Sequence, residues 1–85
     1  MQITIVFTGR HYDQAALPDA LDLPDSATLA AAVTELASRI TSDIPLPPTG
    51  LLAVNGQHCG TVASPADRTL VDDDELMIIA PVAGG

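Results

Sequence analysis

The sequence contains no lysine, and its three arginines are Arg10, Arg39 and Arg68. Against 11 acidic residues they leave a net charge of −8. A chain this acidic repels nucleic-acid phosphates and anionic lipid headgroups. We therefore expect neither nucleic acid nor a membrane among its partners.

Aromatic residues and cysteine are also scarce. Phe7 and Tyr12 are the aromatic residues of a chain that is 47% hydrophobic, which predicts a small aliphatic core. The single Cys59 cannot form an internal disulfide, and the sequence starts without a basic leader or a long apolar run. These features predict one cytoplasmic domain with no membrane span.

Motifs for independent catalysis are missing as well. The glycine spacing and lysine of a phosphate-binding loop do not occur, so any ATP-dependent step must belong to another protein. His58 and Cys59 are adjacent, and in a strand they point to opposite faces, which argues against a shared metal ion. His11 is alone. We expect no bound cofactor and no metal site.

Hydrophobic periodicity predicts the main elements of the first half. Residues 2–7 alternate as a strand with Ile3, Ile5 and Phe7 on one face, and residues 21–23 suggest a second short strand. The segment "SATLAAAVTELASRI" is typical of an amphipathic helix that Asp25, Ser26 or Thr28 could cap. Its predicted apolar stripe consists of Leu29, Ala32, Val33, Leu36, Ala37 and Ile40.

The second half predicts short strands joined by turns. Residues 51–54 form an apolar strand, Asn55-Gly56 is a hairpin turn, and residues 57–62 are a further strand. The acidic residues 72–75 predict a turn with its carboxylates in water, followed by a last strand at residues 76–80. One helix can cover one face of such a sheet, which predicts a two-layer α+β domain.

The last strand is apolar on both faces. Leu76 and Ile78 alternate with Met77 and Ile79, so one of the two sets is left without a helix to cover it. Loops or a partner protein could cover that second face.

One class of protein to consider is the acyl carrier proteins, which are small acidic helical domains. Asp25-Ser26 at the start of a helix, in a small acidic domain, resembles the site at which such carriers attach their prosthetic arm. The strand-like "ITIVF" and "ELMIIAPV", and Ala27 after the serine, argue against an all-helical carrier. Ser26 could instead be a simple helix cap.

The segments "LLAVNG", "LVDDDEL" and "IIAPVAGG" resemble the small subunit of molybdopterin synthase, in the MoaD-type and ThiS-like family of ubiquitin-like sulfur carriers. The resemblance implies a ubiquitin-like β-grasp fold, with a mixed sheet packed on one main helix. It divides the chain into a domain at residues 1–80 and an extended Gly-Gly tail at residues 81–85. Asp73 stands where the family usually has glycine, at a position that needs left-handed backbone.

The resemblance also implies a function. A partner enzyme would use ATP to adenylate the carboxylate of Gly85, and sulfur transfer would convert it to a thiocarboxylate. The tail residues Pro81, Val82, Ala83 and Gly84 would enter a pocket of the large synthase subunit, in a heterotetramer, and deliver sulfur to a pterin precursor of the molybdenum cofactor. Arg10 and Ile79 are the predicted contact residues on the domain.

The same Gly-Gly tail is also compatible with functions other than molybdopterin synthesis. The same tail could carry sulfur for thiamine, cysteine, thiolated tRNA or a natural product, or could join the chain to lysines of target proteins. Without lysine the chain could build polymers of itself only through its amino terminus. An inert β-grasp binding module is the remaining alternative.

Overall fold

A computed structural model describes residues 1–8, 19–39 and 49–79 of the chain. The elements in these ranges are β1 (Gln2–Thr8), β2 (Ala20–Asp22), α1 (Leu29–Arg39), β3 (Leu51–Val54), β4 (Gln57–Thr61) and β5 (Glu75–Ile79). Residues 14–17, for which the sequence suggests a short helical turn, and the proline-rich residues 44–48 lie outside the described residues. None of the described helical segments is long and apolar enough to cross a membrane.

The strands form one mixed sheet in the order β2-β1-β5-β3-β4. β5 pairs in parallel with β1 and antiparallel with β3, and the outer pairs are antiparallel. Parallel pairing of the first and last strands around a helical crossover is the arrangement of the β-grasp fold. The predicted α+β class and β-grasp fold are therefore confirmed for the part of the chain that the structure describes.

The helix begins at a side-chain cap. The backbone N–H of Ala31 donates to Thr28 Oγ1 at 3.2 Å, so Thr28 is the cap among the three predicted candidates. In the last described turn, Arg39 Nε donates to Glu35 Oε1 at 2.8 Å, an i,i+4 pair in the favourable orientation with the acid nearer the amino terminus. A local cap thus fixes the start of α1, and a local ion pair supports its last described turn.

The buried face of α1 is narrower than its apolar stripe. Leu29, Ala32, Val33 and Leu36 are buried, whereas Ala37 is exposed. At 3.6 residues per turn, Ala37 lies about 80° around the helix from Leu29, at the margin of the stripe. A methyl group there loses little by remaining in water, and Ile40 lies outside the described residues.

The β3–β4 hairpin has the predicted turn, and the loop that follows covers its edge. Asn55 and Gly56 have φ angles of 52° and 84°, as a tight two-residue hairpin turn requires. After β4, Thr61 N–H donates to Ser64 O at 3.2 Å and Ala66 N–H donates to Cys59 O at 3.0 Å. The returning loop thereby satisfies edge groups that would otherwise be open to another chain.

Candidate functional site

β5 is the strand that leads into the predicted carrier tail. It lies between β1 and β3, with Ile79 opposite both Thr8 and Leu51. A strand paired on both sides is a rigid base for a reactive terminus. The predicted site residues Arg10, Pro81, Val82, Ala83, Gly84 and Gly85 lie outside the described residues, as does Ala80.

Asp74, immediately before β5, corrects one expectation from the sequence. The carboxylates of residues 72–75 were expected to lie in water, yet Asp74 is only 4% exposed. Its Oδ1 accepts from Asn55 Nδ2 at 2.8 Å, and its Oδ2 accepts from Val71 N–H at 2.9 Å. Burial is tolerated because both oxygens are hydrogen-bonded, and the bond to Val71 closes the turn.

Asn55 ties this turn to the β3–β4 hairpin. Besides donating to Asp74, its Oδ1 accepts from Glu75 N–H and its own N–H donates to Glu75 O, both at 2.9 Å. On the other side, Thr4 N–H donates to Asp74 O at 2.9 Å. The first residues of β5 are therefore fixed from both neighbouring strands, which sets the register of the strand before the tail.

Asp73 adopts the backbone conformation that the family resemblance implied. Its φ is 69°, in the left-handed region that glycine reaches without cost. Its N–H donates to Gln2 O at 2.9 Å, so the turn is held against β1. Aspartate is one of the better-tolerated residues in this region, and it still carries some strain.

Replacement of Asp73 by glycine is expected to raise the free energy of unfolding by about 0.5 kcal/mol, because relief of strain outweighs the added freedom of the unfolded chain. Asp73→Ala is the control, and we expect it to lower stability by about 1 kcal/mol. Urea denaturation measures both. A glycine variant less stable than the wild-type chain would contradict the assigned strain.

The face of the sheet opposite α1 is only partly covered. We call Val6, Leu51, Ala53, Met77 and Ile79 the open face, because register places them side by side on β1, β5 and β3. Leu51 is 42% exposed and Ile79 38% exposed, while Val6 and Met77 are half-buried. Ala53 is buried, at 8% exposure. The second apolar face predicted from the sequence is present among the described residues, exposed at Leu51 and Ile79 and half-buried or buried at its other three members.

His58 and Cys59 do not form a site. Cys59 is buried and donates to Gln57 O at 3.3 Å, whereas His58 is exposed beside Ala53 on the other face. This is the strand alternation predicted for the pair. Within residues 1–8, 19–39 and 49–79, no group of three histidine, cysteine or acidic residues is placed to hold a metal ion.

Ser26 does not lie in an acyl-carrier setting. It has a φ of 69° in the turn before α1, and the domain around it is a mixed sheet and not a helical bundle. The acyl-carrier alternative is therefore wrong. Thr28, two residues later, caps the helix instead.

The family model described as the ThiS family matches residues 5–85, nearly the whole chain. The chain belongs to the ThiS family. No curated protein and no solved structure matches it. As a member of the ThiS family, the chain is a ubiquitin-like sulfur carrier.

The ThiS-family match covers both the described sheet and the tail that follows it. The match reaches Gly85, and β5 with its buried Asp74 anchor precedes the tail directly. Sequence reasoning identified Ile79 on the open face and missed the partnership of Asn55 with Asp74. A signal was present in the "VNG" and "DDDE" segments, but each was interpreted only as a local turn.

Proposed function

We propose that the chain is the small, sulfur-carrying subunit of a molybdopterin synthase. The observation that carries the proposal is the ThiS-family match through to the Gly-Gly terminus. Among sulfur-carrier pathways, the chain length and the ending "PVAGG" favour molybdopterin. The chain contributes the reacting terminus, and the large subunit contributes the catalytic pocket.

The chemistry begins at the carboxylate of Gly85. A separate activating enzyme joins a carboxylate oxygen to the α-phosphorus of ATP, and pyrophosphate leaves. Hydrosulfide released by a sulfur donor then attacks the carbonyl carbon of the acyl adenylate, and AMP leaves. The product is a terminal thiocarboxylate, whose sulfur is a far better nucleophile than the original oxygen.

Delivery requires the tail to reach a second protein. Gly84 and Gly85 have no Cβ and can pass through a narrow channel, and Pro81 favours an extended chain. In the pocket of the large subunit the thiocarboxylate sulfur displaces an oxygen substituent from a carbon of a pterin precursor. Water then hydrolyses the resulting thioester, which leaves the sulfur on the pterin and restores the Gly85 carboxylate, and two such deliveries supply the sulfurs of the dithiolene. No residue of the described sheet needs to take part in the bond changes.

The open face supplies the docking surface of this proposal. Ile79 and Leu51 are opposite each other in the β3–β5 register and are the most exposed members of that face. They lie at the end of β5 from which the tail departs. Arg10 is proposed as a further contact, because arginine is enriched at protein interfaces.

Truncation of Ile79 to alanine is expected to weaken binding to the large subunit about tenfold, since it removes a central apolar contact. Val71→Ala is the matched control: Val71 is 61% exposed and lies in the loop before β5, outside the open face. Calorimetric titration measures both affinities. Equal losses from the two variants would contradict docking through the open face.

The pathway is tested by product formation. The thiocarboxylated chain is mixed with the large synthase subunit and the cyclic pterin precursor, and separately with a thiazole-forming enzyme and its substrates. The proposal predicts a dithiolene product in the first mixture only. Sulfur transfer confined to the second would assign the chain to thiamine synthesis and overturn the molybdopterin proposal.

A further inference from the structure

The side of the sheet that faces away from α1 is acidic at the start of β5 and apolar at its end. The open face occupies the end near the tail, where Met77 and Ile79 project from β5. Glu75 projects to the same side two residues before Met77, because the intervening Leu76 is buried in the core. One strand thus presents a carboxylate at one end and an apolar side chain at the other.

A second carboxylate extends the acidic end across the sheet. Asp22 on β2 lies on this side as well, since its neighbour Leu21 is buried. Asp22 is opposite Gln2, and Glu75 is opposite Thr4, so only β1 separates the two acids. With strands about 4.8 Å apart, the two carboxylates lie on the order of 10 Å from each other.

No described basic side chain neutralises these carboxylates. Arg39 pairs with Glu35 on α1, and Arg68 donates to Gln57 Oε1 at 2.9 Å. The amino-terminal ammonium donates to Leu23 O at 2.8 Å and approaches Asp25. Glu75 and Asp22 are both exposed, and their charges face outward.

We propose that this side of the sheet docks a protein partner with a divided surface: an apolar patch over the open face, and arginine or lysine side chains opposite Glu75 and Asp22. The basic group opposite Glu75 lies roughly 13 Å from the contact at Ile79, which is four residues of strand. The group opposite Asp22 lies at the level of Gln2, about 20 Å from Ile79 along the strand direction. The inference rests on the proposed function and specifies the surface that its partner must have.

Charge selects this occupant over a second copy of the chain. Two copies of net charge −8 repel each other, whereas a basic partner gains attraction on approach. The separation of the acidic end from the apolar end also fixes the orientation of the partner. Ion pairs at the acidic end and apolar contact at the other orient the partner so that its pocket meets the tail.

The test compares two double variants that lose the same net charge. Asp22→Asn with Glu75→Gln removes the acidic end, and Glu35→Gln with Asp67→Asn removes one acid on α1 and one in the loop after β4, both outside the strands of the sheet. Association rates with the large synthase subunit are measured by stopped flow between about 0.05 and 0.5 M NaCl. Isosteric amides leave the fold unchanged, which circular dichroism verifies.

The inference predicts that the first double variant associates about tenfold more slowly at low salt, and that the difference disappears at high salt. The control is expected to stay within about twofold of the wild-type rate, because its charges are outside the contact. Equal slowing of both double variants, or no slowing of the first, would overturn the inference while leaving the proposed function intact.

Two further outcomes are decisive. Absence of wild-type binding to the large subunit at every salt concentration overturns the proposed function and this inference together. Sedimentation of the chain alone as a dimer that Ile79→Ala dissociates would make a second copy the occupant, and would overturn the choice of a basic partner.

Discussion

Deletion of Gly84 and Gly85 is expected to abolish thiocarboxylate formation while leaving the free energy of unfolding unchanged. The deletion moves the terminal carboxylate onto Ala83, which is too far back to reach an activating site shaped for the full tail and has a Cβ that a narrow channel excludes. Stability should be retained because the described core is built from residues 3–78, outside the deleted segment.

A second tail variant separates length from shape. Gly85→Ala keeps the length and adds one Cβ at the reacting residue, and we expect at least a tenfold loss in the rate of adenylation. Pyrophosphate release by the activating enzyme measures the rate, and urea denaturation measures stability. Undiminished adenylation of the chain lacking Gly84 and Gly85 would show that the reacting group is elsewhere.

Replacement of Gly60 by alanine is expected to destabilise the domain by about 2–4 kcal/mol, the largest effect on stability that we predict for a single methyl group. Gly60 has a φ of +87°, and a Cβ there would lie 2.5 Å from Ser64 O and 2.8 Å from Ala66 N. Both are backbone atoms of the loop that returns along β4, so no side chain can rotate away. The alanine variant must displace the loop or the strand.

Gly56→Ala is the matched control for Gly60→Ala. Gly56 has nearly the same φ, +84°, but a Cβ there meets nothing within 4 Å. Its cost is the backbone strain alone, about 1 kcal/mol. Urea denaturation of the two variants isolates the steric part of the effect, and equal losses would contradict the close approach of the loop to Gly60.

Features determined by neighbours in sequence could be predicted. The periodicity of Leu29, Val33 and Leu36 specified the buried face of α1, and Asn55-Gly56 specified the hairpin turn, because each depends on a few adjacent residues. The alternation in β5 likewise identified an uncovered apolar face that includes Ile79.

Features that depend on residues far apart in the sequence could not be predicted. Burial of Asp74 requires a hydrogen bond from Asn55, 19 residues earlier, and neither segment contains a sign of the other. The acidic end of the sheet is similar: Asp22 and Glu75 share one side only because β1 pairs with both β2 and β5. The tail could be interpreted from its family resemblance, since its chemistry depends on a partner enzyme and not on packing.

Carrier chemistry at Gly85 is tested most directly by intact mass spectrometry. The chain is incubated with ATP, a sulfur source and a cognate adenylating enzyme, next to a chain that lacks Gly85. The account predicts a mass gain equal to the replacement of one oxygen by sulfur, confined to the carboxyl-terminal peptide and absent from the shortened chain. No gain, with an enzyme that activates another carrier under the same conditions, would contradict it.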